Sequence, residues 1–168
     1  MLILVLGGSG SGKSAFAEAL TMSFGGTRAY IATMEPYGEE GRRRIERHRL
    51  MRKDKGFETV ESFYDISPAL GFDNALLECL TNLAANRMFS KGDENAFENI
   101  ISQLESLAKY HKNTVIVSGD IFSDGGNYDE YTLKYMELVG RLNCELAQRA
   151  DAVYEVVCGL PLPLKGEK

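Results

Sequence analysis

The sequence predicts an α/β domain of three layers, in which a mostly parallel central sheet is covered by helices on both faces. Short β-branched or aliphatic runs alternate along the chain with longer segments of helical periodicity. These runs are apolar throughout, which predicts strands buried on both faces of the sheet. With 168 residues, 44% of them hydrophobic and 26% charged, residues 1–168 are expected to form one domain.

The individual elements follow from the same patterns. Five runs are predicted strands: LILVL, AYIAT, ALLEC, TVIVSG and AVYEVV. The clearest predicted helices span 96–110 and 131–149. An apolar residue recurs at every fourth position of the second one: Leu138, Leu142, Leu146 and Ala150. We expect SKGDEN to be a loop and GLPLPLKGEK to be a C-terminal tail, because Gly, Pro and charge interrupt both patterns.

Composition narrows the function classes. The formal net charge of −5 argues against general nucleic-acid binding, so any anion site must be local. Cys79, Cys144 and Cys158 lie far apart without C-x-x-C spacing, which is typical of reduced thiols in a cytoplasmic protein. The first apolar run stops at Gly7, which predicts neither a signal peptide nor a membrane span.

The segment between the first strand and the first helix carries a phosphate-binding pattern. Gly7, four further residues and then Gly12-Lys13-Ser14 match G-x-x-x-x-G-K-[ST] in the strand-to-helix context that the pattern requires. Such a loop turns backbone N–H groups toward phosphate oxygens, and the helix presents its positive end to them. We expect Lys13 to reach the β- and γ-phosphates of a nucleoside triphosphate and Ser14 to ligate Mg²⁺.

The predicted loop comprises Gly7, Gly8, Ser9, Gly10, Ser11, Gly12, Lys13 and Ser14. A dinucleotide-binding turn is the nearest alternative, because Glu35 follows the second strand where such folds place a ribose-binding acid. However, GGSGSGKS lacks the G-x-G-x-x-G pattern of that fold. The loop therefore favours a nucleoside-triphosphate-binding domain.

A phosphate loop needs an acid near the metal, and such acids lie at the carboxyl ends of core strands. Glu78 follows NALL and Asp120 follows TVIVSG, so either side chain fits that position. Carboxylates that cap the next helix would have the same pattern, so the sequence leaves both interpretations open for each residue.

A basic segment stands out in this acidic chain. Eight of the 19 basic residues lie between Arg42 and Lys55, which predicts a local field for polyphosphate. If 39–51 is helical, Arg44, His48 and Arg52 share one face. Flanking positive charge favours the neutral imidazole that a nucleophile requires. On composition alone, a solvated helix with a surface histidine is the simpler interpretation.

Together these segments resemble a known family. LVLGGSGSGKSAFAEAL, YIAT, RRIERHR, LLECLTNL and VGRLNCELAQRADAVYEVVCGLPLPLKG occur in the order and at nearly the spacings of the bifunctional adenosylcobinamide kinase / adenosylcobinamide-phosphate guanylyltransferase family of cobalamin biosynthesis. The resemblance covers almost the whole chain. It implies a RecA-like P-loop NTPase fold, a cytoplasmic enzyme, and a homo-oligomer that is commonly a trimer.

The resemblance also implies a two-step reaction. ATP or GTP phosphorylates the hydroxyl of the aminopropanol arm of adenosylcobinamide, and GMP then passes from GTP through a histidine to adenosylcobinamide phosphate, giving adenosylcobinamide-GDP. The guanylylated histidine falls on His48, and Asp120 takes the place of a family glutamate. The other histidine, His111, is expected at the surface.

The site residues implied by the resemblance are divided among three roles. The catalytic set is His48, Lys13, Glu78 and Asp120. Beyond the phosphate loop, the nucleotide-contacting set is Thr33, Met34, Glu35, Arg49, Leu50, Met51, Arg52, Glu61 and Glu78. The Mg²⁺ ligands are Ser14 and Glu78.

Two other functions remain open from the sequence. One is a small-molecule kinase of the same fold without the transfer step, which would phosphorylate its substrate and form no covalent nucleotide. The other is a regulatory protein that binds GTP without turning it over, and its behaviour would be indifferent to Glu78→Gln.

Overall fold

The computed structural model describes residues 1–122 and 125–166, apart from the side chains of Arg44 and Met51 within a helix. The strands are β1 Leu2–Gly7, β2 Arg28–Ala32, β3 Phe57–Glu61, β4 Asn74–Glu78, β5 Asn113–Gly119, β6 Ala152–Val157 and β7 Leu160–Lys165. The α-helices are α1 Lys13–Ser23, α2 Gly38–Arg52, α3 Leu80–Ala85, α4 Ala96–Tyr110 and α5 Glu130–Arg149, with a π-helical turn at Asn86–Ser90 after α3.

The described strands form a seven-stranded sheet in the order β3-β2-β4-β5-β1-β6-β7. Neighbouring pairs among β1 to β6 are parallel, and β7 runs antiparallel to β6. The carboxyl ends of the parallel strands therefore meet at one edge of the sheet. Loops that follow those ends can form a single site there.

Helices cover both faces of the sheet, which confirms the predicted three-layer α/β architecture. On one face, sheet residues pack with residues of α3, α4 and α5: Leu4, Ile31, Leu77, Ile116, Leu83, Leu104 and Leu142. On the other face, sheet residues pack with Ala17 of α1: Ile3, Val5, Tyr30, Leu76, Val115 and Val117. Adjacent residues of β1 and of β4 thus enter opposite cores, which explains why these strands are apolar throughout.

The two clearest helix predictions are confirmed. The segment 96–110 is α4, and 131–149 lies within α5. In α5, Leu142 and Leu146 are buried together with Val139, and Ala150 is buried just after the helix. The Asp129 side chain accepts a hydrogen bond from the backbone N–H of Thr132 at 2.8 Å and caps the start of α5.

The sequence did not predict β3, which lies at one edge of the sheet. In its FETVE sequence only Phe57 and Val60 are partly buried, and the other three residues are exposed. The predicted strands were apolar throughout, and this edge strand is not.

The predicted C-terminal tail is wrong, because Leu160–Lys165 forms β7. Cys158 and Gly159, with φ of 51° and 79°, make a two-residue turn that suits an antiparallel hairpin. Pro161 and Pro163 cannot donate to a strand ladder and interrupt the strand pattern in the sequence. An edge strand tolerates prolines because half of its backbone faces no partner.

The predicted surface position of His111 is also wrong. The side chain is 3% exposed. Its Nε2 accepts a hydrogen bond from the Ala69 N–H at 3.2 Å, so Nδ1 carries the proton and donates to the Phe72 carbonyl at 3.0 Å. Burial lowers the pKa of His111 from its ordinary value. The neutral imidazole therefore ties the loop before β4 to the end of α4.

Candidate active site

A cavity of about 730 Å³ lies at the carboxyl edge of the sheet, between the phosphate loop and α2. It brings together most of the site residues that the sequence predicted. These are Ser9, Gly10, Ser11, Gly12, Lys13, Ser14, Met34, His48, Arg49, Arg52, Glu61, Glu78 and Asp120. Residues far apart in the chain thus converge because each follows, or packs over, the end of a parallel strand.

The phosphate loop is held by backbone contacts with its neighbours. The Gly159 N–H donates to the Ser11 carbonyl at 2.8 Å, and the Asp120 N–H donates to the Gly7 carbonyl at 3.0 Å. Gly12 begins α1 with φ of 92°, a region that favours glycine. The Lys13 ammonium donates to the Gly8 carbonyl at 3.0 Å and so lies folded over the loop. Backbone hydrogen bonds to two neighbouring segments therefore hold the loop in this conformation.

Glu78 and Ser14 meet beside the loop. The Ser14 hydroxyl donates a hydrogen bond to Glu78 Oε1. The second carboxylate oxygen, Oε2, is buried and accepts no hydrogen bond among the described residues. A buried oxygen with unused lone pairs next to a hydroxyl suits Mg²⁺, which usually takes one or two protein ligands and completes its shell with phosphates and water.

Asp120 lies at the end of β5, the strand between β4 and β1, and lines the same cavity. Its Oδ1 accepts a hydrogen bond from the Phe122 N–H at 3.0 Å. The described residues contain no group of three or more His, Cys, Asp or Glu side chains placed to hold a metal ion.

The basic helix α2 lies across the cavity from the loop. Glu39 in its first turn and Arg49 and Arg52 in its last turn complement the helix dipole. Arg49 forms an ion pair with Glu61 at the end of β3. His48 is half-buried and faces the cavity. The alternative of a fully solvated helix does not hold for the side that carries His48 and Arg52.

Several predicted nucleotide contacts lie outside the cavity lining. The Thr33 hydroxyl donates to the Cys79 carbonyl at 2.8 Å and accepts from the Cys79 N–H at 2.7 Å, so it clamps the ends of β2 and β4. The Glu35 carboxylate accepts hydrogen bonds from Tyr64 and Ser90. The Tyr64–Glu35 hydrogen bond raises the pKa of Tyr64.

The remaining exceptions belong to the phosphate loop and to α2. Gly7 and Gly8 support the loop through the contacts described above and do not line the cavity. Leu50 is 66% exposed and is likewise absent from the lining. The side chain of Met51 lies outside the described residues.

The structure also places in the cavity residues that the sequence did not single out. Among them are Tyr30, Thr81 and Asn82, and Arg47 of the predicted basic segment lines the cavity as well. Burial raises the pKa of Tyr30, and the nearby Glu78 carboxylate raises it further. A tyrosine inside an apolar strand reads as a core residue, so its contact with the cavity had no signal in the sequence.

The fold and the loop define a P-loop nucleotide-binding protein. A likeness to a solved structure supports the fold: a prototypical ATPase from the type III secretion system of pathogenic bacteria superposes with a TM-score of 0.54 at 15% identity. The match covers 96% of this chain and 56% of that chain, so this chain spans little more than half of the ATPase.

Within that class, the chain belongs to the cobinamide kinase / cobinamide phosphate guanyltransferase family, whose profile matches residues 3–164. It is 31% identical to the bifunctional adenosylcobalamin biosynthesis protein CobP of Pseudomonas aeruginosa, over 98% of this chain and 97% of that protein. It is also 31% identical to CobU of Escherichia coli K12, over 98% of this chain and all (100%) of that protein. None of the helices in the described part combines the length and apolarity needed to cross a membrane.

Proposed function

We propose that this chain phosphorylates adenosylcobinamide with a nucleoside triphosphate and then transfers GMP from GTP, through His48, to the phosphate just installed. The observation that carries the proposal is that Lys13 of the phosphate loop, Glu78 and His48 line the same cavity. Family membership supplies the substrates. The same cavity can serve both steps because each needs a triphosphate bound across the loop.

In the first step, the hydroxyl oxygen of the aminopropanol arm attacks the γ-phosphorus of ATP or GTP. The bond from that phosphorus to its bridging oxygen breaks, and the nucleoside diphosphate leaves with the electron pair. Lys13 neutralises charge on the β- and γ-phosphates. The hydroxyl proton passes to a carboxylate, for which Glu78 and Asp120 are the candidates at this edge of the sheet.

In the second step, a neutral imidazole nitrogen of His48 attacks the α-phosphorus of GTP and pyrophosphate leaves. A phosphate oxygen of adenosylcobinamide phosphate then attacks the same phosphorus, and the phosphorus–nitrogen bond breaks to regenerate the histidine. The covalent intermediate divides one difficult transfer into two easier ones. Arg49 and Arg52 neutralise charge that develops on the leaving group.

We propose that Mg²⁺ is held by Ser14 and Glu78, with phosphate oxygens and water completing its shell. Support comes from the buried, unpartnered Oε2 of Glu78. The ion would screen phosphate charge and orient the triphosphate for in-line attack.

We further propose a cytoplasmic homo-oligomer, a trimer by family resemblance. Cys79, Cys144 and Cys158 are free thiols in the structure, as in a reducing compartment. The edge strand β7 exposes Leu160 and Leu162, apolar surface that a subunit contact would cover. Sedimentation velocity tests the trimer directly, and a concentration-independent monomer would contradict it.

The first test is the intact mass of the protein after incubation with GTP and Mg²⁺. Phosphoramidates are acid-labile, so samples stay neutral. We expect one GMP adduct on the wild type and none on His48→Ala. The chain has only one other histidine, His111, which is buried and does not line the cavity. His111→Gln is therefore the matched control and keeps the adduct.

The outcomes separate the candidate functions. A wild type that phosphorylates adenosylcobinamide but forms no adduct is a kinase without the transfer step. A wild type that binds GTP and forms neither product is a regulatory nucleotide-binding protein. If His48→Ala loses both activities while folded, the two roles are not separable in the way we propose.

A further inference from the structure

The guanidinium of Arg52 is buried against an aromatic ring. Arg52 is 5% exposed, and its Cζ atom lies 3.4 Å from the centroid of the Tyr30 ring. Tyr30 is itself 4% exposed and stands in the middle of β2. A guanidinium over a ring at this distance gains cation–π attraction, and more of it when water is excluded. The ring therefore fixes where the charge sits.

Two donors of this guanidinium are unused. Nε and Nη1 of Arg52 are buried and have no hydrogen-bond partner among the described residues. A buried donor without a partner carries a desolvation cost, and more so when it is charged. Arg52 lines the cavity that holds the phosphate loop, and a guanidinium with two donors that pair with nothing in the described part of the chain is available to bind an anion there.

The surroundings favour a phosphoryl group as that anion. Arg52 follows His48 by four residues on α2, so both side chains lie on one face of the helix. Arg47 and Arg49 also line the cavity. The planar fork of arginine binds two phosphate oxygens at once, whereas Lys13 acts as a point charge.

Arg52 is among the nucleotide contacts that the family resemblance implies. We propose that Tyr30 is the positioning residue that holds the Arg52 guanidinium in place beside His48. The ring holds the guanidinium in place, and Nε and Nη1 bind phosphoryl oxygens of the nucleoside triphosphate that the loop does not reach. This rests on the proposed function for the identity of the nucleotide. Tyr30 acts through Arg52 and is not itself a catalytic residue.

The test is a double-mutant cycle read by calorimetric binding of GTP to the full chain in Mg²⁺ buffer. We expect Arg52→Met to weaken binding about tenfold to a hundredfold, as for the loss of hydrogen bonds to a charged group. Tyr30→Leu should weaken GTP binding by most of the factor seen for Arg52→Met. Tyr30→Phe keeps the ring and should weaken GTP binding at most about threefold. In the double variant Tyr30→Leu/Arg52→Met, binding should equal that of Arg52→Met alone.

The control for loss of core packing is Phe57→Leu. Phe57 contacts the Tyr30 ring edge-on at 6.2 Å between centroids but does not line the cavity. We expect it to leave GTP affinity unchanged. If Tyr30→Leu does not fold, Arg52→Lys replaces it, because lysine keeps the charge but cannot stack or chelate as a fork, and we expect it to lose most of the affinity.

Additive effects of Tyr30→Leu and Arg52→Met would overturn the proposal, because a purely structural tyrosine acts independently of Arg52. Equal losses in Tyr30→Phe and Tyr30→Leu would also overturn it, since the hydroxyl and not the ring would then matter. The binding cycle does not depend on catalysis. Failure of the proposed function would instead appear as a wild type that binds GTP but forms neither the GMP adduct nor adenosylcobinamide phosphate.

Discussion

The contact between the phosphate loop and the β6–β7 hairpin predicts a specific sensitivity at Gly12. This residue has φ of 92°, and a Cβ built on it would lie 3.1 Å from the Cα of Gly159 and 3.5 Å from its nitrogen. Only the 3.1 Å approach to Cα is closer than ordinary van der Waals contact, and because this atom belongs to the backbone, no side chain can rotate away. Gly12→Ala must therefore strain its own backbone and displace the hairpin turn.

The expected loss of unfolding free energy in Gly12→Ala is the sum of the backbone strain and the displacement of the hairpin turn. A non-glycine residue in the left-handed region costs about 1–2 kcal/mol, and overpacking against backbone costs about 1–3 kcal/mol more. Gly10→Ala is the matched control, because Gly10 also has a positive φ of 72° but nothing lies within 4 Å of its Cβ. We expect the control to lose about 1–2 kcal/mol and Gly12→Ala to lose about 2–5 kcal/mol.

Urea unfolding of the two variants and the wild type measures this difference. GTP affinity measured in parallel should fall more for Gly12→Ala, because the displaced turn no longer holds the Ser11 carbonyl at 2.8 Å from the Gly159 N–H. Equal loss of stability in Gly10→Ala and Gly12→Ala would refute the reasoning, since the approach of Gly159 would then impose no constraint on the loop.

Three further predictions concern single side chains. Lys13→Ala should abolish phosphorylation and weaken nucleotide binding, and calorimetry beside a kinase assay checks both. The pKa of His111 is lowered from 6.5, so the contribution of the neutral imidazole to the unfolding free energy is complete above pH 6.5 and declines as pH falls toward the folded-state pKa. In urea unfolding between pH 7 and 5, the unfolding free energy of His111→Gln should therefore decline less steeply than that of the wild type. Parallel declines of the two proteins would contradict this. Asn86 donates to the Thr33 and Phe63 carbonyls at 2.8 Å each, so Asn86→Ala should cost about 1–3 kcal/mol of unfolding free energy, whereas an unchanged Tm would show that water replaces both hydrogen bonds.

Local patterns predicted the parts of the fold in which neighbouring residues decide the structure. The strands β1, β4 and β5 are buried on both faces, so their apolar runs were sufficient. The helix at 96–110 was predicted with the same bounds that the structure gives α4. The phosphate loop could likewise be predicted from the sequence, because its conformation depends on glycines within one short segment.

The remaining parts depend on partners that are distant in sequence. The edge strands β3 and β7 are strands because a neighbour pairs with one side of each, and the sequence pattern carries no record of that pairing. His111 is buried because Ala69 and Phe72 fold over it. The nucleotide contact that the family resemblance implies for Thr33 stays a prediction, and nothing in the sequence indicated that its hydroxyl hydrogen-bonds with the backbone of Cys79. Each of these outcomes is a tertiary contact between separate elements.

The phosphate loop and Glu78 form one half of the cavity and α2 forms the other, and the fold holds the first half more firmly than the second. The loop and Glu78 belong to central strands or follow them directly, and backbone hydrogen bonds fix the loop on both sides. In contrast, α2 contacts the edge strand β3 and its neighbour β2 through the Arg49–Glu61 ion pair and the Arg52–Tyr30 stack near the C-terminal end of the helix. In the proposed mechanism, phosphorylation uses the firmly held half, and GMP transfer also needs His48 on the helix. Changes in the last turn of α2 should therefore impair the transfer more than the phosphorylation, because the side-chain contacts of α2 are easier to lose than a strand ladder.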